Sequence, residues 1–465
     1  MSYEVEVKNL GKIVEGRFKV SDLTVITGPN GTGKSFFTKF MYSILTTAEN
    51  FSLWVRTRQL LSGLDNRFST ILEFPEESRT TDIKKLLELQ DMVNVIFENY
   101  YTVENKPKNF DDELQLIGLI HPESVKVTEF AETFLSNEIK VGSEAYHSLS
   151  HIEQLELTTR AAICSSLSGL TLYTSTSHRQ AAYDYFLGGG ISKELKDNFQ
   201  VSNLNEIIRH NAEGIYFTLD NSLSLKVDRD GEVMVNTDGC SDLISLLRSK
   251  PNSVFFESPL YWRLRDVLND AKINSDEGFL SGVPKYFFDL DRALRQKSRD
   301  GNQFDILHEK ISNKIGGEFE VKGTDLIFKL NDGQEISKNL VSFGMTNFGM
   351  LNALIKNNVI RSGSFVFIDE PETNLHPDWQ VEIIKTLVEL SNAGVKIVLN
   401  THSIEILKFI ETTFSSFDSL DERLAINFLD IDGRTIDFED ENPLNNIKES
   451  REILSSTYFD LYMRG

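Results

Sequence analysis

Gly28-Pro29-Asn30-Gly31-Thr32-Gly33-Lys34-Ser35 has the form Gly, four residues, Gly-Lys-Ser, and its flanks fix how it is read. Residues 23–27, Leu-Thr-Val-Ile-Thr, are a β-rich run, and residues 36–43, from Phe36 onward, have helical character. A strand, a glycine-rich loop and a helix in that order aim successive backbone N–H groups from a helix N-terminus. Such a cradle suits the β- and γ-phosphates of a nucleoside triphosphate. Asn30, Gly31, Thr32, Gly33 and Phe36 belong to the cradle, Lys34 reaches the phosphates as a point charge, and the Ser35 hydroxyl ligates Mg²⁺. The pattern predicts a nucleotide-binding chain.

Composition narrows the class. The 465 residues are 40% hydrophobic and 25% charged, enough for a large core and two or three globular domains. No apolar run has the length of a membrane span, and the N-terminus, Met1-Ser2-Tyr3-Glu4, lacks the order of a secretory signal. Cys164 and Cys240 cannot build a disulfide framework or a four-ligand zinc site. A cytoplasmic protein without membrane contact is the expectation. A formal charge of −22, from 48 basic and 70 acidic residues, argues against a surface coated for nucleic acid, although a local basic groove is compatible with it.

Along the chain, residues 3–13 and 17–20 read as strands leading into the loop. Residues 41–210 are mostly helical; in 82–101, Ile83, Leu86, Leu87, Leu89 and Met92 recur at near-helical spacing. Gly188-Gly189-Gly190 reads as a hinge. Strands return at 214–219, 223–227 and 232–236 as an antiparallel meander, then at 253–256. Residues 260–315 turn helical, and 318–321 with 325–330 form a hairpin. From 351 onward helix and strand alternate in βαβ order, which predicts a parallel sheet.

The strand 365–368 ends in Asp369-Glu370. An apolar strand closing on two carboxylates suits an Mg²⁺-dependent NTPase, with Asp369 in the metal shell and Glu370 orienting or deprotonating the attacking water. The next strand, 395–399, ends in Asn400-Thr401-His402-Ser403, which places His402 on the sheet edge where ligands bind and within reach of a γ-phosphate. Ser342 and Gly344, in Val341-Ser342-Phe343-Gly344-Met345-Thr346, precede a helix; Ser342 can cap it and Gly344 permits close backbone approach. The phosphate loop and these carboxylates lie near opposite ends of the chain, so a large insertion must separate two halves of one sheet.

Together these residues resemble the ABC-type ATPase heads of SMC, RecF and OLD (overcoming lysogenization defect) proteins. Residues 28–35 are similar to the Walker A motif and 365–370 to Walker B. Pro371-Glu372-Thr373-Asn374-Leu375-His376-Pro377 resembles the extension of the AAA-annotated branch, covering its D-loop, and His402 the switch histidine. Ser342-Phe343-Gly344 resembles a degenerate signature motif, with Phe343 and Met345 where glycine and glutamine are usual. Glu257-Ser258-Pro259 is a candidate Q-loop. The resemblance implies an ABC-ATPase head, a mixed sheet with a parallel phosphate-loop core, assembled from residues 1–45, 211–258 and 316–440. Residues 46–210 and 259–315 would be helical insertions and 441–465 a helical tail. It further implies Mg²⁺-dependent, slow and regulatory ATP hydrolysis. Two heads would sandwich ATP, with Ser342 and Gly344 acting on the nucleotide of the partner subunit, catalytic Glu370 and His402, and metal-binding Ser35 and Asp369.

Three uses of such a head compete. A transporter head is compact and lacks a large helical insertion. A repair ATPase of SMC type would carry long heptad arms, whereas the insertion holds short mixed helices. An OLD nuclease needs a nuclease domain behind the head, and the residues after His402 are too few for one. The chain therefore resembles the ATPase subunits of anti-phage systems, such as PtuA of Septu and of some retrons or AriA of PARIS. That implies a homo-oligomer, a dimer of heads or a higher form such as a hexamer, holding a separate effector such as an HNH or Toprim-type nuclease. DNA is a possible partner, and the alternative is an SMC/RecF-like ATPase acting on DNA in repair or recombination. Two weaker patterns remain. His147 and His151 could pair on one helix face, and Arg292, Arg295, Lys297 and Arg299 could contact DNA or a partner; solvated side chains are the favoured reading of both.

Overall fold

The computed structural model describes residues 2–76, 80–102, 106–136, 139–249, 253–257, 260–273, 282–295, 303–323, 325–373, 375–417, 419–420 and 422–464. Lys297, Arg299, Asn374 and Ser258-Pro259 lie outside them. The chain forms two compact units, one of residues 1–50, 188–236 and 246–465, the other of residues 51–187 and 237–245.

In the first unit the strands are β1 (Tyr3–Leu10), β2 (Ile13–Val20), β3 (Leu23–Thr27), β4 (Gly214–Leu219), β5 (Leu223–Asp228), β6 (Val233–Asn236), β7 (Val254–Phe256), β8 (Gly317–Lys322), β9 (Asp325–Leu330), β10 (Glu335–Ser337), β11 (Phe365–Asp369), β12 (Lys396–Asn400) and β13 (Leu424–Phe428). They make an α/β architecture of three sheets, ordered β2-β1-β4-β5-β6, β10-β9-β8 and β13-β3-β12-β11-β7. The last sheet is parallel at every pairing. Its strands β3, β12 and β13 are buried at every residue, as expected where both faces are covered and the sequence runs apolar without alternation. The antiparallel strands instead alternate: Tyr3, Val5 and Val7 of β1 turn inward while Glu4 and Lys8 face out. The α/β class and the parallel phosphate-loop core are as the sequence predicts.

The antiparallel and parallel sheets are tied by Asn427 of β13, which accepts from Lys19 N–H at 2.9 Å and donates to Lys19 C=O at 3.0 Å. One side-chain amide thus stands in for a ladder pair with β2. The helix Lys34–Asn50 follows the loop and buries Phe37, Phe40, Met41, Ile44, Leu45 and Ala48, an i, i+3, i+4, i+7 stripe. Phe37 stacks on Phe18 with ring centroids 3.7 Å apart.

Two local expectations are corrected. The strand expected over 3–13 is broken by a turn at residues 11–12, after which β2 begins. Gly188-Gly189-Gly190 is no hinge but part of the helix Arg179–Phe199. A Cβ on Gly188 would come 2.5 Å from the carbonyl oxygen of Val233, so the residue is small because β6 passes against the helix. A three-glycine run looks the same in sequence whether it bends the chain or admits a neighbour.

The second unit is helical. Its longer helices are Leu53–Leu72, Ile83–Tyr100, Phe110–Leu119, His121–Leu135 and His151–Thr174. In the second of these Leu86, Leu89, Val93 and Ile96 are buried and Leu87 is exposed, which narrows the periodic stripe by one residue. Glu113, fully buried, accepts from the Ser52 hydroxyl (2.8 Å) and Trp54 N–H (2.7 Å), capping the first helix with a charge.

Candidate functional site

The C-terminal edge of the parallel sheet gathers the loop after β3, the ends of β11 and β12, and the start of the helix Lys34–Asn50. Sheet order explains the gathering: β12 lies between β3 and β11, so residues far apart in sequence end side by side. Gly28 has φ +139°, and a Cβ there would sit 2.1 Å from the Leu429 carbonyl oxygen, so only glycine lets β3 turn into the loop.

Lys34 is buried and folds back over the loop, its Nζ donating to the carbonyl oxygens of Gly28 and Pro29 at 2.8 Å each. Burial lowers the Lys34 pKa, opposed by the nearby Glu370, Asp369 and Glu372. The Ser35 hydroxyl donates to Asp369 Oδ1 at 3.1 Å. Asn400 Nδ2 donates to the same oxygen at 2.9 Å and to Thr38 Oγ1 at 2.9 Å. Burial raises the Asp369 pKa, and the Asn400 and Ser35 hydrogen bonds work against that shift. A serine hydroxyl beside a carboxylate is a hard-oxygen donor set and fits Mg²⁺. Among the described residues no cluster of three or more His, Cys, Asp or Glu could hold a metal ion.

Glu370 has φ +49°, uncommon for a side-chain-bearing residue, and is fixed by its N–H donating to Asn400 C=O at 3.0 Å. His402 Nδ1 lies 3.4 Å from Glu370 Oε1 and 3.5 Å from Glu372 Oε1. At the end of β7, on the far side of β11, Glu257 pairs with Lys39 at 2.7 Å and accepts from the Tyr286 hydroxyl. Burial, then the Glu257 charge, raises the Tyr286 pKa strongly.

The structure thus brings Lys34, Ser35, Asp369, Glu370 and His402 together. It adds Asn400, Glu372, Thr38 and Glu257, to which the sequence reading assigned no firm role. Asn400 was findable as a polar residue closing an all-apolar strand. Thr38 carried no signal, because a threonine inside a helix reads as neutral. Phe36 packs on Phe199 with centroids 5.1 Å apart. Asn30, Gly31, Thr32 and Gly33 form the loop itself, where the Thr32 hydroxyl donates to Pro29 C=O at 3.1 Å.

Ser342 and Gly344 are elsewhere. Ser342 caps the helix Phe343–Lys356, its Oγ accepting from Met345 N–H at 3.3 Å, and Gly344 is buried in that helix. Neither hydrogen-bonds the phosphate loop among the described residues. Phe343 lies under the Arg263 guanidinium, 3.8 Å from its ring centroid, and Arg263 also donates to Val341 C=O at 2.9 Å.

His147 ends one short helix and His151 begins the next, so they share no helix face. Arg292 and Arg295 are exposed and pair with Asp289 at 3.6 Å and Asp291 at 2.8 Å, while Lys297 and Arg299 of the same cluster lie outside the described residues. Among the described residues no helix is long and apolar enough to cross a membrane.

Residues 243–408 match the family model described as "AAA domain, putative AbiEii toxin, Type IV TA system". The match covers Asp369, Glu370 and His402 but not the phosphate loop. The Old nuclease of Escherichia phage P2 is 30% identical over 168 residues, 31% of this chain and 29% of that protein. The cell division ATP-binding protein FtsE of Bacillus subtilis is 40% identical over 53 residues, 11% of this chain and 23% of that protein. The chain therefore spans under a third of either relative. Among solved structures, the SMC head domain from Thermotoga maritima has TM-score 0.33 at 13% identity, covering 87% of this chain and 90% of that one. The Smc head domain from Pyrococcus furiosus has TM-score 0.39 at 10% identity, covering 97% and 100%. With similarity this distant, the site is defined by the strand order and the hydrogen bonds at the sheet edge, and residues 243–408 are similar to the AAA-domain family model.

Proposed function

We propose that this chain is an ABC-type ATPase subunit that binds ATP with Mg²⁺, hydrolyses it slowly, and uses the cycle to assemble with copies of itself and control a separate effector. The observation that carries the reading is the Ser35–Asp369–Asn400 cluster, which joins the phosphate loop to the acidic strand end across one sheet. Lys34 would leave the loop carbonyls for the phosphates, and Ser35 and Asp369 would hold Mg²⁺. Bound there, the ion neutralises charge on the transferred phosphoryl group. Glu370 would orient and deprotonate water, and His402 would donate to the γ-phosphate. Ser342 and Gly344 lie outside this constellation, which favours their acting on the nucleotide of the partner subunit.

An anti-phage role with a nuclease effector, in the manner of the Septu, retron and PARIS ATPases, is the functional setting we favour. The AAA-type match at residues 243–408 and the local similarity to a phage Old nuclease support it. The net charge of −22 and the internally paired Arg292 and Arg295 favour a protein partner over DNA. Native mass measurement with and without Mg-ATP, together with phosphate release, tests the reading. We expect ATP-dependent oligomers and copurification of a nuclease-like protein encoded alongside. A chain that stays monomeric and turns over ATP only with DNA would point to the repair alternative.

A further inference from the structure

Glu372, in the turn after β11, is a carboxylate that the proposed hydrolysis does not use. Its side chain is only 9% exposed. Oε1 accepts from the Thr401 hydroxyl at 2.8 Å and from His402 N–H at 3.1 Å, which fixes the carboxylate against the His402 backbone. Oε2 is buried and has no hydrogen-bond partner among the described residues, so the carboxylate keeps acceptor capacity beside the ring.

The His402 ring lies between two carboxylates. Its Nδ1 stands 3.4 Å from Glu370 Oε1 and 3.5 Å from Glu372 Oε1, at the limit of hydrogen bonding to either. One N–H serves one acceptor well, so the two carboxylates compete for it. If Glu370 keeps it, Glu370 has a lone pair committed away from the water it is meant to activate. No other charged side chain lies within ion-pair distance of His402 among the described residues.

We propose that Glu372 is the positioning residue that takes the Nδ1–H of His402, thereby freeing Glu370 for water and turning Nε2 toward the γ-phosphate. The inference rests on the roles given to Glu370 and His402 under the proposed function. The proton stays on the ring throughout; Glu372 accepts a hydrogen bond and does no proton transfer. With Nδ1 held by Glu372, the ring plane is fixed and Nε2 is presented toward the phosphate.

Glu372→Gln keeps an oxygen for Thr401 and the His402 N–H but removes the charge. Turnover at saturating Mg-ATP should fall about 10–100-fold, the range for an outer partner of a functional histidine, with the KM for ATP unchanged. Glu372→Asp, which retains the charge, should recover part of the loss. Because Glu372 acts through His402, Glu372→Gln in a His402→Ala background should cost nothing further. Wild-type turnover in Glu372→Gln, or losses that add to those of His402→Ala, would overturn the proposal. A second arm needs no turnover. In nucleotide-free Glu370→Gln protein with ¹⁵N-labelled histidine, adding Glu372→Gln should shift the His402 ring nitrogen signals. A ring spectrum indifferent to Glu372 overturns the pairing. A wild-type chain that does not hydrolyse ATP would instead remove the ATPase reading, leaving the ring spectrum to decide the pair.

Discussion

On the phosphate-loop side, Ser35, Thr38, Asp369 and Asn400 hydrogen-bond one another across three elements of one chain. On the Ser342 side, among the described residues, Ser342 hydrogen-bonds into its own helix and Phe343 is engaged by Arg263. The first half of the site is finished by folding, because neighbouring parallel strands must end at the same edge. The second lies on a helix N-terminus that makes no hydrogen bond to the phosphate loop among the described residues. Under the proposed function, folding would build the binding half and assembly would complete the catalytic one.

The comparison breaks first if Glu370→Gln hydrolyses ATP normally. Removing a general base should slow turnover about 10²–10⁴-fold while nucleotide still binds, and the ATP-bound assembly should accumulate in native mass spectra. Next, Ser342→Arg should cut turnover about 10²–10³-fold, as for loss of a donor to developing charge, without weakening nucleotide binding to the single chain. Mixing Ser342→Arg with Lys34→Ala chains should restore partial turnover, since one composite site would then have both halves intact. Absence of complementation would place the signature contact in cis. Lys34→Ala alone should weaken affinity about 10–100-fold in a fluorescent-nucleotide titration, the size of one or two charge-assisted hydrogen bonds.

Smaller effects test how firmly each half is held. Asn400→Ala strips a donor from half-buried Asp369 and buried Thr38 and should cost about 1–3 kcal/mol in urea unfolding. At the far end of the signature helix, Lys356 pairs with Glu318 at 2.9 Å, and His308 lies 3.2 Å from the same carboxylate. Hydrogen bonding from His308 leads the causes that lower the Glu318 pKa from 4.5 to about 2. A depressed carboxylate stabilises the fold above its unfolded pKa, and that contribution is lost as pH falls from about 4.5 toward 2. Glu318→Gln should therefore melt less steeply with acid across that window than wild type. An identical slope would mean that the Glu318 ion pairs add nothing to stability.

Much of the phosphate-loop half was legible because its parts carry local signals. Gly28 to Ser35 has a fixed spacing, and Asp369, Glu370 and His402 each close an apolar strand, which marks a sheet edge. Glu372 and Glu257 were harder. Each follows a strand, but only the packing shows that Glu372 turns back under His402 and that Glu257 reaches Lys39. Gly188 misled for the opposite reason: its cause is Val233, a residue on another element.

The sequence by itself determined the chemistry available: a nucleotide loop, a carboxylate pair, a histidine and an α/β framework, each encoded within a few consecutive residues. Only the tertiary structure decided which of these meet. Placing β12 between β3 and β11 joins Ser35 to Asp369 through Asn400 and sets two carboxylates against one imidazole. Strand order is a property of the packed sheet, settled by burial of whole apolar strands, and no local stretch of the chain encodes it.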